Sequence, residues 1–232
     1  MGFDRSFAVN ISATYGDCGM PGYVLGHHLK GEGKRLALMS ELLDPMHRRY
    51  LESLDVVKSG ARTLEVGCGN GSISAWLARQ VAPDGRAMAV EKAMANLVAS
   101  LRPGGAILLI EPDFLPVAIA EPPEVCAFWS GWLAWSRDQG IDYHIGRSLA
   151  PRLAALGLQR ISGTAETAIY NGTSLWADYW TQTVKELRAD LISSGKLNNV
   201  LVDTFLGYCA DPAWWTQTIA FTAVHGYAPD HY

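Results

Sequence analysis

The chain has 232 residues, which is enough for one large domain or two small ones. Its net charge of −4 argues against nucleic acid or an anionic membrane as the main partner, and it contains no apolar run of transmembrane length. The four cysteines form no CxxC pair, which disfavours a zinc site or a disulfide framework and favours free thiols in a reducing compartment. The N-terminal residues lack the basic and apolar regions of a secretory signal peptide. We therefore expect a cytoplasmic location and no bound metal.

The first third of the chain contains both weak and strong patterns. Residues 1–30 are rich in glycine and weakly patterned, which predicts an arm or lid and no strand. Residues 32–44 place apolar side chains on one helical face. Asp44 followed by Pro45 predicts a cap and the start of a second helix. A short apolar strand, "RTLEV", then leads through a glycine-rich loop into the helix "ISAWLARQVA", and "RAMAVE" is a second short strand.

The remaining chain continues to alternate between the two element types. "KAMANLVASL" has the apolar spacing of a helix, and "AILLIE" is a strand buried on both faces because its residues do not alternate. A long aromatic helix, "PPEVCAFWSGWLAWSRDQG", and a shorter one ended by Gly157 follow. "LQRISGTAETAIY" and "WWTQTIAFTAVHGYA" are strands that flank two further helices. Strands alternating with helices predict an α/β fold with a mostly parallel sheet.

The loop after the first buried strand carries the strongest chemical signal. Its sequence is "EVGCGNG", from Glu65 to Gly71, and its glycines allow a tight turn and a close approach of a ligand to the backbone. The N–H groups at the start of the following helix favour an anionic group such as a carboxylate. Glu91 lies twenty residues after Gly71, at the end of the next strand, where an acid accepts hydrogen bonds from ribose hydroxyls.

The glycine spacing distinguishes two classes of nucleotide site. A dinucleotide fingerprint, GxGxxG, would need glycine at position 72, where Ser72 stands. The observed GxGxG, preceded two residues earlier by an acid, resembles the first motif of class I S-adenosylmethionine-dependent methyltransferases. "RLALMSELLDP" and "LRPGGAILLIEPD" extend this resemblance to most of residues 30–230. The residues that the resemblance assigns to cofactor binding are Glu65, Gly67, Cys68, Gly69, Asn70, Gly71 and Glu91.

Membership of this family implies a single domain with an abbreviated methyltransferase fold. Its Rossmann-like, mostly parallel sheet would have helices on both faces and S-adenosylmethionine over the carboxyl ends of the first two strands. Residues 1–57 would form an arm and helices, 58–114 the cofactor-binding core, and 115–232 a helical, aromatic-rich substrate side. The resemblance implies methyl transfer to a small, partly apolar metabolite, with no nucleic-acid or membrane partner. A homodimer stays open.

One segment of the family pattern has no counterpart. After Glu91 the family has two more βα units, roughly 60 residues, before the helix that leads to "RPGG". We therefore expect the sheet to close up in the order "RAMAVE", "RTLEV", "AILLIE", final strand, "LQRIS". We also expect a cofactor site that lacks its adenine-side acid and binds weakly. A non-catalytic descendant that binds a ligand or partner without turnover is the alternative.

The aromatic second half supplies the substrate-side candidates. Trp129, Trp132 and Trp135 recur at a spacing of three, which indicates either core packing or one wall of an apolar pocket. His144 is the candidate base for an acceptor hydroxyl, or a solvated loop residue. Arg147 reads as a helix-start or salt-bridge residue. The expected pocket residues are Trp132, Tyr143, Trp176 and Trp180. His27 and His28 are adjacent, which does not match a helical metal-ligand spacing.

Overall fold

The computed structural model describes residues 7–11, 31–66, 68, 70–90 and 94–230. The helices are α1 (Glu32–Glu52), α2 (Ser72–Val81), α3 (Met94–Ala99), α4 (Pro123–Asp138), α5 (Leu149–Ala155), α6 (Leu175–Ser193) and α7 (Asn199–Ala210). The strands are β1 (Phe7–Ile11), β2 (Arg62–Val66), β3 (Arg86–Val90), β4 (Ala106–Asp113), β5 (Gln159–Glu166), β6 (Ile169–Asn171), β7 (Trp215–Gln217) and β8 (Ala220–Tyr227). Short 3₁₀ turns span Pro116–Ile119 and Ile145–Ser148.

The main sheet has six strands in the order β3-β2-β1-β4-β8-β5. Only β8 runs antiparallel to its neighbours β4 and β5, so the other strands share one direction. Helices cover both faces, because α1 and α2 pack on one side of β4 and α3 and α5 on the other. The predicted Rossmann-like, mostly parallel α/β architecture is therefore confirmed. β6 and β7 form a separate antiparallel pair.

The position of β1 corrects two expectations. Residues 7–11 are a central strand and not part of an arm, and β2 and β4 do not close up against each other. Val9 is paired with Leu64 of β2 and with Ile107 of β4, both in parallel register. The physical reason is that a central strand satisfies the backbone groups of two neighbours at once, and unpaired buried N–H and C=O groups are costly. The rest of the predicted strand order is confirmed.

Helix α1 corrects the prediction of two helices separated at Asp44. Pro45 lies inside one continuous helix, and Asp44 does not cap a helix start. Its carboxylate accepts hydrogen bonds from Arg48, at 3.0 Å, and from the Ser72 hydroxyl, also at 3.0 Å. The proline costs α1 one backbone hydrogen bond, but apolar residues on either side of it are buried in the same core and keep the helix whole. These residues are Leu43, Met46 and Leu51.

Strand β4 is buried on both faces, as its unbroken apolar sequence predicts. Ala106, Leu108 and Ile110 belong to the core formed with α1 and α2. Ile107 and Leu109 belong to the core on the opposite face, with residues of α3 and α5. β4 also extends beyond the level at which its neighbour β1 ends, and its last residues stay paired with β8 alone.

The C-terminal helices α4, α6 and α7 enclose an aromatic core. The three tryptophans of α4, Trp129, Trp132 and Trp135, are each at most 2 % exposed. Phe128 of α4 stacks on Phe205 of α7 with ring centroids 3.9 Å apart. The three tryptophans therefore pack inside the protein, as the core-packing alternative predicted.

Two predicted strands are each divided by the structure. "LQRISGTAETAIY" becomes β5 and β6, and the final strand becomes β7 and β8. Both breaks meet at Thr218, whose backbone N–H donates to Ala168 and whose carbonyl accepts from the Thr167 hydroxyl, each at 2.9 Å. These bonds replace the ladder pairing that the breaks interrupt. Along the described residues, no helix is both long and apolar enough to cross a membrane.

We predict that Val9→Pro opens the centre of the sheet. Proline lacks the N–H that β1 offers to its neighbours, so a buried acceptor loses its partner, at a cost of about 1–3 kcal/mol in the free energy of unfolding. Hydrogen exchange should show loss of protection in β2 and β4. Ser59→Pro, in the exposed turn before β2, is the control, and equal effects of both variants would contradict a central β1.

We also predict that Phe205→Ala destabilises the protein strongly. Phe205 is 1 % exposed and stacked, so its removal leaves a cavity and should lower the free energy of unfolding by about 3–5 kcal/mol. Trp215→Ala is the matched aromatic control, because Trp215 is 63 % exposed. Chemical denaturation of both variants measures the difference, and a loss under about 1 kcal/mol for Phe205→Ala would contradict the packing described.

Candidate functional site

The carboxyl ends of four parallel strands meet at one edge of the sheet. The strand register places Ile11 beside Val66 and beside Leu109, and Val66 beside Val90. Ligands of open α/β sheets bind outside this edge. The loop between β2 and α2 begins here, as the sequence predicts, and so does the segment that follows β3. Gly67, Gly69 and Glu91 lie outside the described residues.

Gly71 shapes the start of helix α2. Its φ of +80° lies in the left-handed region, and space is open around the position where a side chain would begin. Its N–H donates to the carbonyl of Cys68 at 2.7 Å, which closes the turn. Any residue with a side chain would be strained at this φ, so the sequence requires glycine for the backbone itself. The open space lets a ligand approach the first turn of α2.

Hydrogen bonds from α1 hold the loop in place. The Ser40 hydroxyl donates to the side-chain oxygen of Asn70 at 3.0 Å, and that oxygen also accepts the Ser72 N–H at 3.2 Å. The Ser72 hydroxyl donates to Asp44 at 3.0 Å. No sequence pattern indicated Ser40 or Asp44 as loop-holding residues, because both are remote from the loop along the chain. Helix α1 therefore fixes the geometry of the candidate cofactor loop.

Glu65 lies under this loop. Its carboxylate, 4 % exposed, accepts a hydrogen bond from the Ser74 hydroxyl of α2. Burial raises the pKa of Glu65, the Ser74 hydrogen bonds oppose that change, and the nearby Asp44 adds to it, so the net shift is upward. Glu65 therefore joins β2 to α2 directly and helps to set the geometry of the loop between them.

A second polar cluster lies at the end of β4, beyond the level at which β1 ends. Arg147 donates two hydrogen bonds to Asp113, from Nε at 2.8 Å and from Nη2 at 2.6 Å, which confirms it as a salt-bridge residue. The Leu115 N–H donates to the same carboxylate at 2.9 Å, and His144 Nδ1 lies 3.4 Å from it. Burial alone would raise the pKa of Asp113, but the hydrogen bonds from Arg147 and Leu115, together with the charge of Arg147, lower it below its usual range.

Half-buried aromatic residues lie on both sides of the β4 end. Tyr143 stacks on Phe114, the residue after β4, with ring centroids 4.2 Å apart. Trp176 packs at 5.9 Å against Phe221, which is paired with Pro112 of β4. Each ring therefore keeps a partly exposed surface beside the carboxyl edge of the sheet. Tyr143 and Trp176 are the expected pocket residues that the structure leaves half-buried at this edge.

Two of the expected pocket residues lie inside the protein. Trp132 is 1 % exposed and Trp180 is 2 % exposed, and both belong to the aromatic core. The Trp180 indole N–H donates to the Thr218 hydroxyl at 3.4 Å. Their assignment to the pocket wall is corrected, because the facing helices α4, α6 and α7 cover them. His27 and His28 lie outside the described residues.

Tyr179 connects the two parts of the site. Its hydroxyl lies 4.0 Å from the sulfur of Met39 on α1, and the next residue, Ser40, holds Asn70 of the glycine loop. Like Trp176, Tyr179 lies on the helix that the sequence indicated as part of the substrate side. Helix α1 thus brings the aromatic residues of α6 next to the cofactor loop. Among the described residues, no group of three or more His, Cys, Asp or Glu side chains could hold a metal ion.

The similarity of this chain to known proteins is concentrated in one segment. The family model of protein-L-isoaspartate(D-aspartate) O-methyltransferase matches residues 39–103. This segment contains the second half of α1, the strand β2, the glycine loop, α2, β3 and α3. A search of curated proteins found no match.

Many solved structures have distant similarity to the chain, and two of them illustrate it. One is Haemonchus contortus phospholethanolamine N-methyltransferase 2, in complex with phosphomonomethylethanolamine and S-adenosylhomocysteine. It is 12 % identical over 85 % of this chain, with a TM-score of 0.40, and the chain spans about half of it, 52 %. The other is a cyclopropane-fatty-acyl-phospholipid synthase-like protein from Lactobacillus casei. It is 16 % identical over 84 % of this chain and 91 % of its own, with a TM-score of 0.43. The similarity that bears on function is therefore the match between residues 39–103 and a methyltransferase family. These residues contain the glycine loop.

Proposed function

We propose that the chain binds S-adenosylmethionine at the carboxyl ends of β2 and β3 and transfers its methyl group to a small, partly apolar molecule. The observation that carries this proposal is the strand–glycine turn–helix unit from β2 to α2. In that unit Gly71 is left-handed, space is open beside it, and Glu65 is buried beneath it. The match of residues 39–103 to a methyltransferase family supports the same assignment.

Each element of the site has a distinct task. The first N–H groups of α2 would hold the carboxylate of the cofactor, and Glu91, after β3, would accept hydrogen bonds from its ribose hydroxyls. The cofactor supplies a methyl group on a sulfonium, which is already an activated leaving group. The protein then has to align the acceptor and keep water away from it. Tyr143 and Trp176 are placed to hold the apolar part of the acceptor.

A non-catalytic ligand-binding role is the second candidate, and one observation favours it. Between β3 and β4 the described residues contain α3 and no further strand. No additional βα unit is therefore available there to supply an acid on the adenine side of the cofactor. Strand β1 fills the sheet position that such a unit would occupy, so the sheet itself is continuous. Binding and turnover therefore need separate measurements.

Calorimetric titration with S-adenosylhomocysteine tests the cofactor site. We expect one-to-one binding, weaker by about tenfold or more in Glu91→Ala, because hydrogen bonds to a charged group contribute about 1.5–3 kcal/mol. Glu124→Ala, an exposed acid in the first turn of α4, is the control and should leave the affinity unchanged. Absence of binding by the unaltered chain would contradict the proposal.

Turnover is measured with S-adenosylmethionine labelled on its methyl group. The protein is incubated with fractions of a small-molecule cell extract, and label is followed into products smaller than protein. Labelled product from the intact chain, and its loss in Gly71→Val, supports methyl transfer, because valine at a left-handed position distorts the loop. Cofactor binding without labelled product in any fraction supports the ligand-binding alternative.

Glu65→Gln should stabilise the protein near neutral pH. Because the pKa of Glu65 is higher in the folded state, the folded protein binds more protons, and its stability falls as pH rises above the ordinary value of 4.5. Glutamine keeps an acceptor for Ser74 and carries no buried charge. We expect a higher melting temperature than the wild type at neutral pH and a gain that shrinks as pH falls towards 4.5.

Thermal unfolding of Glu65→Gln, followed across this pH range, makes the comparison. Glu52→Gln, an exposed acid at the end of α1, is the matched control and should show no such pH-dependent gain. A gain for Glu65→Gln that grows in acid would be the wrong sign and would contradict the raised pKa.

A further inference from the structure

We propose that His144 serves the substrate site as a hydrogen-bond donor through Nε2–H, with Arg147 as the positioning residue that fixes this tautomer. The proposal replaces the general-base role that the sequence suggested for His144. Its substrate part rests on the proposed function, whereas its tautomer part rests on the geometry of the β4 end alone. It also narrows the class of molecule that the site would accept.

The tautomer follows from the contact between His144 and Arg147. Arg147 Nη2 lies 3.1 Å from His144 Nδ1. A guanidinium can only donate hydrogen bonds, so a bond at this distance requires a lone pair on Nδ1. In a neutral imidazole the proton then resides on Nε2. A proton on Nδ1 would instead point towards a cation.

Asp113 is the rival partner for Nδ1, and its contacts disfavour that pairing. Its Oδ1 lies 3.4 Å from Nδ1, beyond the usual range of a good hydrogen bond. That oxygen already accepts the Arg147 Nη2 at 2.6 Å and the Leu115 N–H at 2.9 Å. Asp142 accepts the backbone N–H of His144 at 2.9 Å, so it holds the residue and not the ring. Asp113 thus orients Arg147, and Arg147 orients His144.

The other ring nitrogen remains available. Nε2 has no hydrogen-bond partner within the described part of the chain, and 40 % of the His144 side chain is exposed. Tyr143, stacked on Phe114, lies next to it in the chain and offers an apolar ring surface. A ligand with an acceptor oxygen at Nε2–H and a ring or short alkyl body on the Tyr143 side would contact both residues.

The consequence concerns the acceptor atom. A donor at Nε2 cannot take a proton from an attacking hydroxyl, so the nucleophile must react without a base from His144. An uncharged amine meets this condition. Its nitrogen lone pair forms the new C–N bond as the C–S bond breaks, sulfur keeps that electron pair, and the ammonium product releases its proton to water. A small amine that also carries a carbonyl or similar acceptor oxygen for Nε2–H is therefore one substrate class that fits the site.

Long-range ¹H–¹⁵N correlation spectra of the whole ¹⁵N-labelled chain test the tautomer without any substrate. We expect the His144 ring, assigned through His144→Gln, to carry its proton on Nε2 when the ring is neutral. Arg147→Met should shift the proton towards Nδ1, where Asp113 can then accept it. Arg188→Met, which removes an equivalent arginine paired with Asp203, should leave the His144 signals unchanged. A neutral wild-type ring protonated on Nδ1 would overturn the proposal, as would an unchanged Arg147→Met spectrum.

Methyl transfer, measured with the labelled cofactor as above, tests the role of the donor. Glutamine can place an N–H near the position of Nε2 but cannot act as a base near neutral pH. We expect His144→Gln to retain activity within about threefold and His144→Ala to lose about tenfold, the value of one hydrogen bond. If both variants lose activity equally, and the wild-type rate falls in acid with a histidine-like midpoint, His144 is a base and the proposal fails. A wild type without activity would contradict the proposed function but not the tautomer assignment.

Discussion

The backbone pairing of β1 with both β2 and β4 is the constraint on which the rest of the molecule depends. The strand that carries the glycine loop and the strand that carries Asp113 are not neighbours, and each needs a partner for its inner edge. Five residues from the start of the chain supply that partner to both. The spacing between the loop and the β4 end is therefore set by a segment far from either in sequence.

Buried carboxylates organise the carboxyl edge of this sheet at two places. Asp44 connects α1 to the start of α2, and Asp113 connects the end of β4 to the turn that contains Arg147. Each is largely out of solvent and is held by more than one donor, which makes the geometry specific because an unpaired buried charge is costly. On each of the two sides of the candidate site, a buried carboxylate held by several donors thus fixes the geometry. One side presents backbone N–H groups, and the other presents a histidine beside an aromatic ring.

The sequence predicted well where a pattern is local. The apolar, non-alternating "AILLIE" gave a doubly buried strand, and the glycine loop fell between a strand and a helix. It failed at "FAVNI", since five residues among glycines have too little pattern to indicate a central strand. It also failed at Asp44 and Pro45, whose local signal indicates a helix start. Burial of α1 on both sides of the proline outweighs that signal.

By itself the sequence determined the α/β class, the position of the glycine loop and the need for glycine at position 71, because these follow from spacing and from backbone sterics. Only the tertiary structure decided which tryptophans are core, since Trp132 and Trp176 have equivalent helical contexts and differ in what covers them. It also decided what His144 can do. The role of an imidazole depends on which of its nitrogens carries the proton. Arg147 contacts His144 Nδ1 and is itself held by the Asp113 carboxylate, so it sets the position of that proton.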